Sequence, residues 1–398
     1  MDQPDEEKAE RRAGAVHSNH REIPGQAPEV ASPREQSGQA ITLNLMRAVA
    51  AFGVLFFHLR ADSFIEYSAL PAEHRHALTA LFFGLTRLGQ EFVIVFFVLS
   101  GFLVGGQVIR HCQQARFDIR SYVIERGTRI LLPLVPACLL TVAVGWFAFG
   151  MEPNWLQVIA NMFGLNGVAV ETLSNNIPLW TIAFEIWFYA IAGAVGHLFA
   201  TRSASLVALL VIAIGVCVFC ILDARYFLFW GLGALVVFFL ATPARRALAI
   251  LGACLFVGGT LTFQLGSESR SFSNVAYFPR GLSEAFVCIG TCITLPYLCD
   301  RKTNAAVRLF RRPAFFLSSL AYSLYLIHYP LIGALRLISP KTNDLSPYAI
   351  GMFSLKAALI FVAVYVFYLA FEANTGIVRT YLKRRMIQPK GVSLVEGR

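Results

Sequence analysis

Eight ionisable residues stand inside long apolar stretches of this chain: Arg47, His58, Glu185, Glu284, His328, Arg336, Lys356 and Glu372. A charge at the centre of a bilayer costs about 2.5–3.5 kcal/mol even on a lenient insertion scale, so each of them is a candidate for function. Imidazole and carboxylate groups are suited to proton transfer, and guanidinium groups are suited to binding anions.

Arg47 and His58 are eleven residues apart in one apolar stretch. At about 100° and 1.5 Å per residue they share a face of one helix and lie about 16 Å apart along it. The alternative for each residue alone is structural, namely interfacial anchoring for Arg47 and a hydrogen bond to a neighbouring helix for His58.

Arg126 and Arg129 lie within one helical turn at the start of another apolar stretch and predict a phosphate site. The alternative is the ordinary excess of basic residues on the cytoplasmic side. Ser100 is a candidate polar contact for a ligand, whereas Gly101 and Gly105 are equally explained by close helix packing.

Glu185 lies two turns into an aromatic-rich apolar helix, so we expect it to face a cavity or to form a salt bridge. If both termini lie in the cytoplasm, His58, Glu185 and His328 are expected in the outer half of the membrane. By the same reasoning Arg47, Arg126, Arg129 and Glu372 are expected to cluster on the inner side.

The elements that position these residues follow from composition. The 398 residues are 56% hydrophobic and only 15% charged, against about 45–50% and about 25% in soluble domains. This composition argues against a soluble enzyme. We predict an all-α polytopic membrane protein with about ten transmembrane helices. The expected spans are 43–60, 89–109, 129–149, 178–198, 204–222, 226–241, 247–265, 282–299, 314–338 and 350–373. The Lys and Arg residues of the loops divide 24 to 7 when both termini are placed in the cytoplasm, which favours that orientation.

Residues 1–40 carry a net charge of −3 and the rest of the chain +13. We expect 1–40 to be a disordered cytoplasmic tail, 41–375 the transmembrane domain and 376–398 a basic cytoplasmic tail. No secretory signal peptide is indicated. Most of the eight cysteines lie in apolar runs and are expected to be free and buried, with Cys217 and Cys220 serving helix packing and no metal site.

Several segments together resemble the membrane-bound acyltransferase 3 family, whose members O-acylate bacterial surface glycans and lipid-linked sugars. Arg47 and His58 match its Arg-x10-His pair, and residues 96–104 match Phe-Phe-x-x-Ser-Gly-Phe. Arg126-x-x-Arg129 resembles its basic entry to the third helix. The segments containing Glu185 and His328 resemble its Pro-Leu-Trp-(Ser/Thr)-x-x-x-Glu and Ser-Tyr-x-x-Tyr-x-x-His-x-Pro motifs.

Two positions depart from the family pattern. Asn44 stands where the family commonly has Asp, and Ala373-Asn374 follow Glu372 in place of Lys-Pro. Only about 25 residues follow the last expected span, which leaves no room for the hydrolase-like domain of some members, so the chain is expected to act alone or with a separate partner.

The resemblance implies an O-acyltransferase in the bacterial inner (plasma) membrane that takes an acyl group, expected to be acetyl, from acyl-CoA. Acyl-CoA is then a co-substrate, with no permanently bound cofactor. The acceptor is a hydroxyl of a glycan or lipid-linked sugar, and no nucleic-acid partner is expected. His58 is the implied base and Glu185 the second catalytic residue. Glu185 or His328 is implied either to orient His58 or to contact the acceptor hydroxyls. Arg47, Ser100, Arg126, Arg129, His328 and Glu372 are the implied substrate-binding residues.

The residues alone leave open both the chemical route and the choice among three functions, of which acyl transfer is the first. Direct transfer and an acyl-enzyme route are both compatible with them, since no Ser or Cys stands out as a nucleophile. A multi-pass transporter is the main alternative function, because buried charges also line proton and solute paths. A scaffold subunit of a polysaccharide export machine is the third.

Overall fold

The computed structural model describes residues 38–240, 246–266, 279–300, 309–343 and 345–387. The described residues form helices and short helical turns, with two isolated β-bridges and no strand. The prediction of an all-α polytopic membrane protein is confirmed.

The helices, in chain order, are α1 (Gly38–Ser63), α2 (Ala77–Leu85), α3 (Gly89–Ser100), α4 (Gly106–Gln113), α5 (Ile119–Phe149), α6 (Trp155–Met162), α7 (Trp180–Thr201), α8 (Leu206–Ile221), α9 (Ala224–Leu235), α10 (Arg246–Gly266), α11 (Arg280–Asp300), α12 (Arg311–Ser319), α13 (Ala321–Arg336), α14 (Pro347–Ala370) and α15 (Thr375–Met386).

Eight helical stretches among the described residues are long and apolar enough to cross a membrane. Two further apolar helical stretches, Leu206–Ile221 and Ala224–Phe239, coincide with the fifth and sixth expected spans. Each has 16 residues and so reaches only about 24 Å, against about 30 Å of hydrocarbon. The ten expected spans therefore correspond to eight full-length stretches and two short ones.

Helix α1 lies at the centre of the bundle and packs against α3, α12 and α13. Its small residues Ala48, Ala50 and Ala51 are buried, which allows the neighbouring backbones to approach closely. Both of its functional candidates, Arg47 and His58, are partly buried. A central helix is thus the scaffold for both ends of the site.

Helix α3 is joined to α4 through a π-helical turn, Gly101–Gly105, that starts directly after Ser100. This turn packs on α9 at very close range. A Cβ atom built on Gly101 would lie 1.9 Å from the Trp230 carbonyl oxygen, and one on Gly233 would lie 2.3 Å from the Val98 carbonyl oxygen. The packing explanation for Gly101 and Gly105 is therefore confirmed, and the crossing holds Ser100 in place.

The entry to α7 is buried before the helix begins. The preceding 3₁₀ turn, Ser174–Leu179, contains Asn176, which is 0% exposed. Asn176 Nδ2 donates to Thr141 Oγ1 and to the Leu326 carbonyl, both at 2.9 Å. Asn176 is non-helical, with φ −148° and ψ 56°, and its two bonds fix the turn against α5 and α13 at the point where α7 begins.

The expected tails are only partly within the described residues. Residues 1–37 and 388–398 lie outside them, so the expected disorder of the first tail falls outside the described chain. Residues Thr375–Met386 form α15, which packs against α5 and pairs Lys383 Nζ with Glu125 Oε1 at 2.6 Å. The first half of the expected basic tail is therefore a docked helix.

The eight cysteines are free. Cys138 and Cys288 are buried as expected, but Cys217, Cys220 and Cys254 are exposed on the surface of the bundle. The expectation that Cys217 and Cys220 are buried in helix packing is wrong, because α8 is a peripheral helix that turns only a narrow face towards α7 and α9.

Candidate functional site

Three cavities follow one another through the bundle. The arginine cavity, of about 120 Å³, is lined by Arg47, Ser100, Arg126, Arg129 and Glu185 among others. The central cavity, of about 280 Å³, is lined by His58, Gln90, Trp180 and Arg280 among others. The Asp62 cavity, of about 290 Å³, is lined by His58, Asp62, Asn175, Tyr329 and Arg336 among others.

The order of the cavities follows from the residues they share. Val93 and Tyr325 line both the arginine cavity and the central cavity, and His58 lines both the central cavity and the Asp62 cavity. Arg47 and His58, on one face of α1, therefore lie in different cavities of a single series. Their predicted separation of about 16 Å along the helix matches this arrangement.

The three guanidinium groups of the arginine cavity have no carboxylate within 4 Å in the part of the chain that the structure describes. Arg126 Nη2 donates to Gln107 Oε1 at 2.6 Å, and its guanidinium carbon lies 5.8 Å and 5.7 Å from the ring centres of Tyr122 and Tyr189. Arg126 Nε is buried without a hydrogen-bond partner among the described residues. The cavity is therefore cationic and is suited to an anion with several oxygens.

A chain of hydrogen bonds crosses the wall of this cavity. Trp230 Nε1 donates to Ser100 Oγ at 3.2 Å, and Ser100 Oγ lies 3.3 Å from Tyr189 Oη. Tyr189 Oη in turn donates to Glu185 Oε1, so Ser100 must be the donor to Tyr189. Ser100 and Glu185 are brought together in this way, and both line the arginine cavity.

Glu185 does not lie beside His58. It lines the cavity that contains the arginines, whereas His58 lines the next two cavities. The expectation that Glu185 shares the outer site with His58 and His328 is wrong, whereas its catalytic role stays a prediction.

The buried start of α7 explains this position. Thr181 Oγ1 donates to Tyr325 Oη at 2.7 Å, which places these two residues at the same level. Glu185 is four residues beyond Thr181 and His328 is three residues beyond Tyr325, on helices that run in opposite directions. The two side chains are therefore separated by roughly 10 Å along the bundle.

Glu372 lies behind the arginines and does not line the cavity. Its Oε2 accepts hydrogen bonds from Ser323 N at 3.0 Å and Ser323 Oγ at 2.6 Å, in the first turn of α13. It also interacts electrostatically with Arg129 and Arg47. Its position supports a structural contribution to the cationic end, because a carboxylate satisfies the free amides of a helix start.

His58 is held between aromatic rings. Its ring centre lies 4.9 Å from that of Phe57, 5.1 Å from that of Tyr329 and 5.3 Å from that of His328. The two histidines are therefore brought together as predicted, on α1 and α13.

His328 is 1% exposed and lines none of the three cavities. Its Nδ1 lies 3.0 Å from the Leu324 carbonyl and 2.9 Å from the Tyr325 carbonyl. Since carbonyl oxygens only accept, Nδ1 carries the proton and Nε2 is a lone-pair acceptor. Nε2 is buried without a partner among the described residues. His328 thus has a fixed tautomer beside His58.

The remaining charged candidates are paired. Glu284 accepts from Gln90 at 3.2 Å and pairs with Arg225 at 3.0 Å and Arg280 at 3.1 Å. Arg336 and Lys356 both pair with Asp62. Asp223 lies in the turn between α8 and α9, close to the Glu284 ion pairs. A hydrogen bond from Arg225 lowers the pKa of its carboxyl group.

Sequence reasoning missed two buried carboxylates. Glu91 is 1% exposed and accepts from Gln264 Nε2 at 2.7 Å, and Asp62 lines a cavity together with His58. Glu91 carried a usable signal, because it lies inside the expected span 89–109. Asp62 fell just beyond the expected end of the first span, which in the structure continues to Ser63.

Comparison with known protein families identifies the family to which this chain belongs. The acyltransferase 3 family model, described as an acyltransferase domain, matches residues 41–372. The chain belongs to the acyltransferase 3 family and is a multi-pass membrane acyltransferase, which transfers groups other than aminoacyl groups. No curated protein and no solved structure matches it. Family membership decides for an enzyme over the transporter and scaffold alternatives.

Proposed function

We propose that this acyltransferase moves an acetyl group from acetyl-CoA to a hydroxyl of a cell-surface polysaccharide or its lipid-linked precursor, at the bacterial inner membrane. The observation that carries the proposal is the arginine cavity, where Arg47, Arg126 and Arg129 meet without an ion pair among the described residues. Phosphate groups are natural partners for such guanidinium groups. The excess of Lys and Arg in the cytoplasmic loops supports placing this cavity on the side where coenzyme A is found.

The donor enters with its phosphates on the arginines. Its pantetheine arm then lies along the apolar wall of the arginine cavity, which includes Phe96, Phe97 and Val104. Val93 and Tyr325, shared with the central cavity, mark the passage through which the thioester reaches His58. In this arrangement donor binding and proton transfer are performed by different cavities.

The chemical step is direct transfer. The acceptor hydroxyl oxygen attacks the thioester carbonyl carbon while neutral His58 takes the hydroxyl proton. The C–S bond breaks, the coenzyme A sulfur leaves as thiolate, and His58 returns the proton to it, so an oxygen ester and free coenzyme A result. No cysteine is among the described residues that line the three cavities, and Ser100 Oγ is hydrogen-bonded to Trp230 and Tyr189. These facts favour direct transfer over an acyl-enzyme.

His328 positions the base. Its Nδ1 proton is fixed on two carbonyls of its own helix, so its ring cannot rotate freely next to His58. A fixed neighbouring ring restricts the orientation of His58, and precise orientation of a base is worth a large part of a catalysed rate.

The experiment compares two donors. Membranes from a deletion strain complemented with wild type or with Arg126→Gln/Arg129→Gln are supplied with [¹⁴C]acetyl-CoA or [¹⁴C]acetyl-pantetheine, and alkali-labile label in the glycan and lipid fractions is measured. Losing two charge-assisted contacts of about 1.5–3 kcal/mol each should raise the KM for acetyl-CoA at least about a hundredfold. The KM for acetyl-pantetheine, which lacks the nucleotide phosphates, should stay within about twofold of wild type.

Arg120→Gln is the matched control, because Arg120 is an exposed residue at the start of the same helix and lines none of the three cavities. It should leave both KM values unchanged. Equal effects of the double variant on the two donors would contradict a phosphate site, and no labelled ester with either donor would contradict the proposed function itself.

A further inference from the structure

The Asp62 cavity has no part in the donor path described above. It shares His58 with the central cavity and shares no lining residue with the arginine cavity. It therefore offers the proposed base a second opening, separate from the cavity in which the donor phosphates are placed. Transfer between two substrates requires a second approach to the same reacting atoms, and this cavity supplies one.

The polar groups of the cavity are built into the fold. Asp62 is 6% exposed and pairs with Arg336 and, at 3.7 Å, with Lys356 Nζ. Lys356 Nζ also donates to the Ser339 carbonyl at 2.7 Å. Two helices, α13 and α14, thus fix their cations on one carboxylate of α1.

The charges of this group do not cancel. Arg336, Lys356 and Asp62 together carry one net positive charge, and the Arg336 side chain is 60% exposed while the other two are 3% exposed. Arg336 is the member that lines the cavity with Asp62. A guanidinium group held by a buried carboxylate is a fixed donor towards whatever enters.

The other walls offer aromatic rings and a fixed amide. Phe149 and Tyr329 contribute ring surfaces, and Asn175 uses its Nδ2 on the Thr141 carbonyl at 2.6 Å, which leaves Oδ1 as an acceptor. Rings combined with a few fixed polar groups are typical of small-molecule sites, and the polar groups here can pair with hydroxyls.

We infer that the Asp62 cavity is the acceptor site, and that it takes a hydroxyl-rich acceptor with a negatively charged group near the hydroxyl that is acylated. Arg336 binds that charge, and the hydroxyl lies against His58. This inference rests on the proposed function. Arg336 is then the residue that sets acceptor preference.

The test uses a cysteine in the cavity wall, so it does not require the acceptor to be known. A Cβ atom on Gly333 would meet only the Phe149 ring, at 3.6 Å, so Gly333→Cys places a thiol there without a clash. Membranes with this variant are treated with methanethiosulfonates that carry either a sulfonate or a trimethylammonium group. Transfer of label from [¹⁴C]acetyl-CoA is measured before and after treatment of the same sample.

Both reagents should abolish at least about nine-tenths of the transfer, because each adds a side chain across the acceptor path. Ser68→Cys is the control, since Ser68 is an exposed residue in a turn soon after α1 and lines none of the cavities. Its modification should leave transfer unchanged. The untreated and treated parent chain measures the background from native cysteines.

The charge preference is read from the reaction rates. Arg336→Gln, added to Gly333→Cys, should lower the ratio of sulfonate to trimethylammonium rate constants about fivefold, because local potentials reach several kT. Arg336→Lys, which keeps the charge, should retain the ratio and shows whether loss of folding explains the Gln result.

The outcomes separate the two proposals. Absence of labelled ester from the untreated parent chain, which lacks the Gly333→Cys change, would overturn the proposed function. Normal transfer that survives complete modification of Gly333→Cys would overturn the acceptor site alone, and an unchanged ratio in Arg336→Gln would overturn the preference for negative charge.

Discussion

Arg47, Arg126 and Arg129 in the arginine cavity differ from Arg336 in the Asp62 cavity in what their guanidinium groups contact. The three arginines have no carboxylate within ion-pair distance in the described ranges, and Arg126 is stacked near two tyrosine rings. Arg336 is bound to Asp62, which Lys356 also contacts. The arginine cavity thus has three guanidinium groups without an ion pair among the described residues, whereas the Asp62 cavity has one carboxylate for two cations and keeps one net positive charge.

This difference teaches how one bundle can separate two substrates. Unpaired guanidinium groups attract a polyanion, since charge-assisted hydrogen bonds contribute about 1.5–3 kcal/mol each. A guanidinium group that is already bound to a carboxylate has a fixed orientation and a largely neutralised charge. Its remaining N–H groups suit hydroxyls and a single negative group. His58 lines the central cavity and the Asp62 cavity but not the arginine cavity.

The largest expected effect is at His58. His58→Gln should lower acetyl transfer by about 10²–10⁴-fold, the usual contribution of a general base, with the KM for acetyl-CoA within about twofold of wild type. Alkali-labile acetate in the surface glycan of complemented deletion strains measures it. His197→Gln, in α7 and away from the three cavities, is the control. A variant that keeps its rate but loses affinity for acetyl-CoA would place His58 in donor binding and remove the distinction between the two ends.

The second prediction contrasts a glycine at each end. Gly101 lies beside the wall of the arginine cavity, and a Cβ there would be 1.9 Å from the Trp230 carbonyl oxygen, whereas at Gly333 it would make an ordinary contact. Gly101→Ala should destabilise the protein by about 1–3 kcal/mol through overpacking. Gly333→Ala should be neutral or stabilising by up to about 1 kcal/mol, because alanine favours the helix.

Thermal unfolding in detergent compares the two variants with wild type. Gly106→Ala is the neighbouring control, since its Cβ would find its nearest contact at 3.5 Å. Equal melting temperatures for Gly101→Ala and Gly106→Ala would show that α3 and α9 can separate, and that the wall of the arginine cavity is not rigid.

The sequence predicted the helices and one pair of site residues well, for a simple physical reason. Apolar length reports a membrane span directly, and helical periodicity placed Arg47 and His58 on one face of α1, which the structure retains. Arg126 and Arg129 were also predicted together from their spacing. These features are local, so no knowledge of other helices was required.

Features that depend on depth could not be predicted in the same way. Glu185 was placed by counting from an assumed membrane surface, whereas packing between helices places it in the arginine cavity, where it accepts a hydrogen bond from Tyr189. The pairing of Asp62 with Arg336 and Lys356 joins three helices that are distant in sequence. Such contacts arise from tertiary packing, which periodicity within one helix does not report.

The smallest expected effect is at Glu372, and its sign distinguishes a supporting residue from a binding one. Glu372→Gln keeps an acceptor for Ser323 but removes a negative charge that acts on Arg47 and Arg129. The cavity becomes more positive, so the KM for acetyl-CoA should fall by about twofold, as expected for one partly screened charge. Glu372→Ala should give the same KM change and also lose about 1 kcal/mol of stability, because the first turn of α13 loses its cap.

Glu152→Gln removes an equal charge from the exposed segment after α5 and should leave the KM unchanged. Steady-state KM values at low and high salt provide the measurement, since a through-space charge effect weakens as salt rises. A higher KM in Glu372→Gln would mean that the carboxylate orients the arginines or contacts the donor. The arginine cavity would then depend on a carboxylate, Glu372, just as the Asp62 cavity depends on Asp62. The two cavities would differ only in whether that carboxylate lines the cavity.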